Sequence, residues 1–283
     1  MVKIGTVWDE AVEAARGRAR IILPIAAFAL FLPSVVQTGV QSYLVAPGRG
    51  VSPGMSGAAG LLSILLMVLT LWGALAITAV TSHPDVTGPD ASRQATARVL
   101  PLIGIWLVLG LAATVLVLPM VAIVVAAGLD LRQAATPGYR PEIDGPLGLA
   151  AVLYGFVMVG VFFWLLARLL PLVPVVLHER RGLGAIGRAF RLTDGMGGRL
   201  AGVIVLYAVV VAVASFAVTA VLGLVFRLLL GADNLATATF LGGVAGAAVS
   251  TVLGVLSYSF VARLYAGLSG RDLRAVFEDV PAR

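Results

Sequence analysis

The residues of this chain that could take part in chemistry are few, and its two histidines complete no zinc-binding motif. His178 and Glu179 begin like the zinc motif HExxH, but Gly182 stands where the second histidine ligand should be. The only other histidine is His83, and the chain has no cysteine, which excludes a thiolate metal site and a thiol nucleophile. The phosphate-binding pattern GxxxxGK is also absent. The sequence therefore predicts no enzyme activity, no cofactor and no metal site.

Arg168 is the one ionisable residue that lies well inside an apolar segment. An arginine near the middle of a bilayer costs about 2.5–3.5 kcal/mol on insertion scales, so it needs a partner. No Asp or Glu is expected at its depth, and two interpretations stay open. Arg168 is either a hydrogen-bonding hub in a kinked helix or a contact for the phosphate of a lipid or for an anionic solute. The protein groups expected to meet it are carbonyls freed by Pro171 and Pro174 and the side chains of Gln37, Gln41 and Tyr258.

Six long apolar stretches must position these residues. The chain of 283 residues is 60% hydrophobic and 12% charged, with a mean hydropathy of +1.02, whereas soluble domains are about half apolar and a quarter charged. Each stretch exceeds the roughly 20 residues that a helix needs to cross about 30 Å of hydrocarbon. We expect an all-α polytopic membrane protein with an amphipathic segment at 1–20, a six-helix domain at 21–268 and a tail at 269–283. The spans are predicted near 21–44, 57–81, 99–128, 148–177, 200–229 and 238–266.

The basic residues predict how these helices are threaded. Of the 20 Lys and Arg residues, 15 fall in the terminal segments and in the second and fourth loops, four fall in the other three loops, and Arg168 lies inside the fourth span. The basic side of a membrane protein faces the cytoplasm. Both termini are therefore expected in the cytoplasm, and the protein in the cytoplasmic (inner) membrane of a bacterium. A net charge of +6 also suits a membrane with anionic lipids.

An amphipathic segment precedes each odd-numbered span and indicates a threefold repeat. The first covers 4–15, the second begins at Pro89, and the third covers 182–194. The third has an apolar stripe and a basic stripe, formed by Leu183, Ile186 and Phe190 and by Arg181, Arg188 and Arg191. We expect three helical hairpins, each preceded by a cytoplasmic elbow helix that lies in the membrane interface. The alternative is that these segments are ordinary amphipathic flanks of a polytopic protein.

Small residues and prolines predict how the spans pack and bend. The sixth span has a small residue at every fourth position, which allows another helix to approach closely. This helix-packing face consists of Gly242, Gly246, Ser250 and Gly254. Its partner is either another helix of the same bundle or a second protomer. Kinks are expected at prolines, each of which removes a backbone donor; these are Pro24, Pro33, Pro101, Pro119, Pro171 and Pro174.

The stretch from Arg168 to Leu200 is similar to the signature region of a membrane domain found attached to glycerophosphoryl diester phosphodiesterases and in stand-alone bacterial relatives. That family typically has an Arg, then a Pro, then an acidic residue, then a short basic helix that ends in a Leu-Thr-x-Gly-like turn. The matching residues are Arg168, Pro171, Pro174, Glu179, Arg188, Arg191, Leu192, Thr193, Asp194 and Gly195. One departure is Ala189-Phe190, where the family commonly has a Ser. This sequence contains no phosphodiesterase domain, so the resemblance implies a membrane module without hydrolase activity.

The function that fits these observations is that of a non-enzymatic, lipid-associated membrane protein, which binds phospholipid headgroups and organises the membrane or a partner enzyme. Its expected lipid or anion contacts are Arg168, Arg181, Arg188 and Arg191. Membrane phospholipids, and a membrane or cytoplasmic protein, are the expected partners; nucleic acid is not. The alternative is a transporter or channel for a small solute, including an anionic one, with Gln37 and Gln41 in its path. A membrane-embedded enzyme comes third, because no nucleophile or acid–base pair stands out.

Overall fold

The computed structural model describes residues 4–44, 53–130, 145–179 and 182–270. The regular secondary structure of these residues is entirely helical, with no strand. Arg181, and the predicted tail at 269–283 beyond Gly270, lie outside them. The helices are α1 Ile4–Gly17, α2 Ala19–Ala26, α3 Leu32–Gly39, α4 Pro53–Ser82, α5 Gly88–Ala126, α6 Gly145–Leu169, α7 Leu172–His178, α8 Gly184–Leu192, α9 Gly197–Leu230 and α10 Leu235–Leu268.

Six of these helical stretches are long and apolar enough to cross a membrane, as predicted. The first combines α2 and α3 with two π-helical turns, Ala27–Phe31 and Val40–Leu44. The fourth combines α6 and α7, and the other four are α4, α5, α9 and α10. The protein is therefore a multi-pass membrane protein built only from helices in the described part of the chain.

Contacts between the spans show that they alternate in direction. Arg18, at the start of the first span, hydrogen-bonds to Val80 O near the end of α4. Tyr154 of α6 donates to Leu116 O of α5, and Ser215 of α9 meets Ser250 of α10. One end of the bundle therefore collects residues near 18, 82, 88, 178, 197 and 265, and we call it the basic end. Among the described arginines, only Arg227 lies at the opposite, distal end.

The main hydrophobic core sits at the basic end and is centred on α7. Leu172, Val175 and Val176 of this short helix are at most 3% exposed. They pack with the buried end of α4, which includes Leu75 and Val80, and with residues from the first span, α5, α8 and α10. Farther from this end, α5 and α6 expose most of their large apolar side chains. Such side chains suit a hydrocarbon surrounding, because lipid tails are as apolar as the residues themselves.

The segments that precede the odd-numbered spans differ from one another. Helix α1 is separate from α2 and packs on α10 through Val7 and Ala11. Helix α8 is also separate, and its buried residues are Ala185 and Ala189. Of the expected apolar stripe, Leu183 is 59% exposed and Ile186 packs against the main core. Before the third span, Pro89–Arg98 forms the first turns of α5 itself, so no separate elbow exists there. Alanine-rich sequence between Pro89 and Pro101 has no reason to leave the helix.

The prolines disturb the spans to different degrees. Helix α6 ends at Leu169 and α7 starts at Leu172 with Pro171 as its N-cap, so the fourth span breaks there and α7 turns into the core. A π-helical turn ends directly before Leu32-Pro33. By contrast, Pro101 and Pro119 lie inside an uninterrupted α5. A proline weakens a helix locally, and among these four prolines only Pro171 lies in a gap between two α-helices.

The small residues of α10 face two different neighbours. A Cβ added at Gly242 would lie 2.8 Å from Gly223 Cα, and one added at Gly246 would lie 2.1 Å from Thr219 Oγ1, both in α9. Ser250 hydrogen-bonds to Ser215 of the same helix at 2.9 Å. A Cβ at Gly254 instead meets Leu30 of the first span at an ordinary 3.8 Å. Of the two expected partners, another helix of the same chain therefore covers Gly242 and Gly246.

Candidate functional site at the basic end

Arg168 lies in the last turn of α6, directly before the break at Leu170-Pro171. Its Nη1 donates to Phe190 O at 3.3 Å and lies 3.2 Å from Asp194 Oδ1. The guanidinium carbon also lies 5.6 Å from the centre of the Trp164 ring, within cation–π distance. The side chain is 18% exposed. Protein groups from α6, α8 and the turn after α8 therefore surround this cation.

The expectation that no carboxylate reaches Arg168 was wrong. Asp194 was counted with the cytoplasmic loop, but the break in the fourth span leaves Arg168 level with the end of α8 and the start of α9. Arg168 donates to Phe190 O, which is not a carbonyl freed by a proline. Gln37 lies in the distal half, where it meets Ser63, and Tyr258 packs on the main core. The Asp194 side chain is 82% exposed, so water screens the ion pair and keeps its contribution below about 1 kcal/mol.

The two ends of the segment from Arg168 to Leu200 meet in space. Thr193 is fully buried, and its hydroxyl lies 3.3 Å from Arg168 O and 2.9 Å from Ala189 O. Gly195 has a φ of +72°, a left-handed conformation that favours glycine. This turn lets α9 start at Gly197, where an added Cβ would lie 3.4 Å from Arg168 Nε. The residues matched to the Leu-Thr-x-Gly-like turn thus hold the end of α6 through backbone and side-chain contacts.

A second polar cluster joins α7, α8 and α10. Arg188 Nε lies 3.0 Å and 3.2 Å from the two carboxylate oxygens of Glu179, and the Tyr265 hydroxyl donates to Glu179 Oε1 at 3.2 Å. The Glu179 side chain is 12% exposed and that of Arg188 is 33% exposed. A largely buried carboxylate with two donors is a fixed structural anchor, since losing either donor would leave charge poorly solvated. Arg188 therefore forms an ion pair with Glu179 of the protein itself.

The two histidines lie beside this cluster. The His178 ring stacks on the Tyr265 ring with 5.7 Å between centroids, and the His83 ring meets His178 edge-on at 5.2 Å. They bring the end of α4 against the end of α7 and against α10. In the described residues, no three His, Asp or Glu side chains are grouped closely enough to hold a metal ion. The arrangement joins helix ends.

One anchor at this end was missed at the sequence level. Arg18 was counted only as an orienting charge, yet its guanidinium donates to the carbonyls of Val80, His83 and Val86. These carbonyls lie at or just after the C-terminus of α4, where a helix leaves its last acceptors without partners inside the helix. A cation there also suits the negative end of the helix dipole. Nothing in the spacing of Arg18 distinguishes it from Arg16 or Arg20, so sequence alone could not single it out.

Of the four arginines expected to contact lipid or anion, the structure leaves one plainly on the surface. Arg191 is exposed in the last turn of α8. Arg168 and Arg188 have carboxylate partners, and Arg181 lies outside the described residues. Exposed Leu183 lies just before α8, while Ala185 and Ala189 face the core. The short helix therefore presents both an apolar and a basic side chain at the basic end of the bundle.

Comparison with known proteins adds no assignment. No family model, no curated protein and no solved structure matches the chain. The class that fold and site define is that of a multi-pass helical membrane protein whose polar clusters tie helix ends together. The resemblance to the membrane domain of the phosphodiesterase family stays a prediction.

Proposed function

We propose that this protein is a non-enzymatic, lipid-associated protein of the bacterial cytoplasmic membrane, which binds anionic headgroups at its basic end. The observation that supports this most is the surface of α8. Ala185 and Ala189 fasten the helix to the core, whereas Arg191 and the neighbouring Leu183 are exposed. A short helix at the end of the spans with exposed leucine and arginine is suited to the interface, where apolar groups enter the acyl region and cations meet phosphates.

We assign the four arginines two proposed roles. Arg168 and Arg188 hold helix ends through Asp194 and Glu179, so they position α8. Arg191 is the headgroup contact, and Arg181 is proposed to join it. The same segment carries the resemblance to the membrane domain of glycerophosphoryl diester phosphodiesterases, and we propose membership of that group. A module of this kind would organise lipid or scaffold a partner enzyme without catalysing a reaction itself.

The proposal is tested by counting retained anionic lipid. The protein is purified from membranes, exchanged into mixtures of phosphatidylglycerol and phosphatidylcholine, and examined by native mass spectrometry. One basic residue near an anionic surface is worth on the order of 1 kcal/mol, so Arg191→Gln should weaken phosphatidylglycerol binding by about fivefold. The matched control is Arg227→Gln, which removes an exposed arginine at the distal end. Equal binding by the wild type and Arg191→Gln would refute the headgroup role of Arg191.

The alternative, transport of a small solute, requires a polar path through the bundle. Gln37 and Gln41 do line a polar cavity, but it lies in the distal half. Between this cavity and the basic end, Ala29, Leu75 and Ile77 are buried apolar residues. This arrangement favours a lipid-associated role over a continuous path. Uptake of a small anion into proteoliposomes, abolished by Gln37→Leu, would reverse that preference.

A further inference from the structure

A cavity of about 430 Å³ that is open to its surroundings lies between the first span and α4, in the distal half of the bundle. This volume falls in the range of about 300–1,000 Å³ that is usual for small-ligand sites. Six hydrogen-bonding side chains line it inside segments that are otherwise strongly apolar: Ser34, Gln37, Thr38, Gln41, Ser63 and Thr70. Polar side chains at such positions are costly in a membrane, which makes them candidates for a functional site.

The two helices form a wedge that opens toward the distal end. At its closed end a Cβ added to Gly73 would lie 2.5 Å from Ala29 Cβ, so the backbones nearly touch there. Farther toward the distal end, the Ser63 hydroxyl of α4 lies 3.3 Å from Gln37 Oε1 of the first span. The π-helical turn Ala27–Phe31 precedes the cavity-lining stretch of the first span, and the turn Val40–Leu44 contains Gln41 at the end of that stretch. Such turns occur often at functional sites, because they change which side chains share a helix face.

Helix α10 supports the opposite side of the first span. A Cβ added at Gly243 would lie 2.4 Å from Thr38 Cγ2, and one added at Gly39 would lie 3.5 Å from the Phe240 ring. The Tyr43 ring also packs 5.7 Å from Phe240. These contacts fix the rotation of the first span about its axis. The face with Gln37 and Gln41 is therefore held toward α4, which preorganises the cavity.

The hydrogen-bonding groups of the cavity differ in whether the protein already uses their donors. Four hydroxyls donate to the carbonyl four residues earlier in their own helix, at 2.8–2.9 Å: those of Ser34, Thr38, Ser63 and Thr70. Each hydroxyl has one proton and two acceptor lone pairs. Its donor is thus used, while acceptor capacity faces the cavity. The carboxamides of Gln37 and Gln41 add both N–H donors and carbonyl acceptors.

We propose that this cavity binds an uncharged, polyhydroxylated group of about the size of a hexose. Hydroxyls of the ligand would donate to the serine and threonine oxygens and accept from the glutamine amides. No charged side chain is among the described residues that line the cavity, so an ion would lose hydration without a counter-charge. Leu66 and Met67 form an apolar wall for the carbon skeleton. The group is either a free sugar or polyol or the headgroup of a glycolipid, and the site does not depend on the headgroup contact at Arg191.

The test uses one sugar in two forms. The full-length protein is placed in phosphatidylcholine nanodiscs, and radiolabelled glucose is added to the solution in one arm. In the other arm the nanodiscs contain 5% monoglucosyl diacylglycerol, whose retention is counted by native mass spectrometry. The double variant Gln37→Leu/Gln41→Leu removes both amides but keeps side chains of similar size that are compatible with a membrane helix. Gln94→Leu, at an exposed position of α5 near the basic end, is the matched control.

Binding in at least one arm is expected, and the arm identifies the source of the sugar. The double variant should bind at least about fivefold more weakly, since two hydrogen bonds to the ligand are lost. Gln94→Leu should bind like the wild type. The proposal is overturned if the wild type shows no saturable binding in either arm. It is also overturned if the double variant binds as tightly as the control.

Discussion

The close contact between α9 and α10 gives the sharpest prediction about stability. A Cβ added at Gly242 would lie 2.8 Å from Gly223 Cα, 2.9 Å from Gly223 N and 3.0 Å from Thr219 O. All three are backbone atoms, so no side-chain rotation can relieve the clash. Gly223 lies on the other side of the same contact, yet a Cβ added there meets no atom of the described residues within 4 Å. Adding one methyl group at Gly242 is therefore expected to reduce stability, whereas adding one at Gly223 is not.

Gly242→Ala must separate the two helices by several tenths of an ångström or more. In tightly packed proteins such overpacking costs about 1–3 kcal/mol. The loss includes the neighbouring close approach at Gly246 and the hydrogen bond between Ser215 and Ser250, which need the same interhelical distance. For a chain of this size, each kcal/mol corresponds to about 2–4 °C in Tm. We expect Gly242→Ala to lower Tm by on the order of 5 °C and Gly223→Ala to leave it unchanged.

The measurement is thermal unfolding of the wild type and both variants in one mild detergent, followed by tryptophan fluorescence and by the loss of monodisperse protein. Both variants remain equally apolar, so differences in detergent binding cannot explain a difference between them. Equal Tm values for Gly242→Ala and Gly223→Ala would refute the close backbone contact. A drop only in Gly223→Ala would show that α9 turns its other face to α10.

Three further predictions follow from the charges. Arg168→Gln should lower Tm by only a few degrees and leave bound phosphatidylglycerol unchanged, because the exposed Asp194 contributes little; loss of lipid at normal stability would instead assign Arg168 an anion. Arg188→Met should lower the free energy of unfolding by about 2 kcal/mol, which is less than the cost of breaking a fully buried ion pair. Adding Glu179→Gln to Arg188→Met should restore part of this loss, and additive losses in the double variant would contradict the pairing. Reporter fusions after positions 90, 185 and 283 should report the cytoplasm and those after 50, 140 and 233 the outside, and a reversed pattern would overturn the orientation.

The six spans could be predicted from sequence because the ability to cross a membrane depends on local length and hydropathy. The partner of Arg168 could not, because it depends on where one helix breaks. Counting residues from the end of an unbroken fourth span places Arg168 deep among apolar residues. The break at Leu170-Pro171 instead turns α7 into the core and leaves Arg168 beside Asp194. Proline marks a weak point in a helix, but Pro101 and Pro119 lie in an unbroken one, so the residue type alone does not decide the outcome.

The partners of the small residues of α10 also could not be predicted from the sequence alone. Residues four apart in an α-helix are rotated by about 40° with respect to one another, since each residue turns by about 100°. From Gly242 to Gly254 this rotation adds up to about 120°, which is enough to pass from one neighbouring helix to the next. The structure agrees, since Gly242 meets α9 and Gly254 meets Leu30 of the first span. A run of small residues at every fourth position therefore predicts close helix contacts, whereas the positions of the surrounding helices decide which partner each small residue meets.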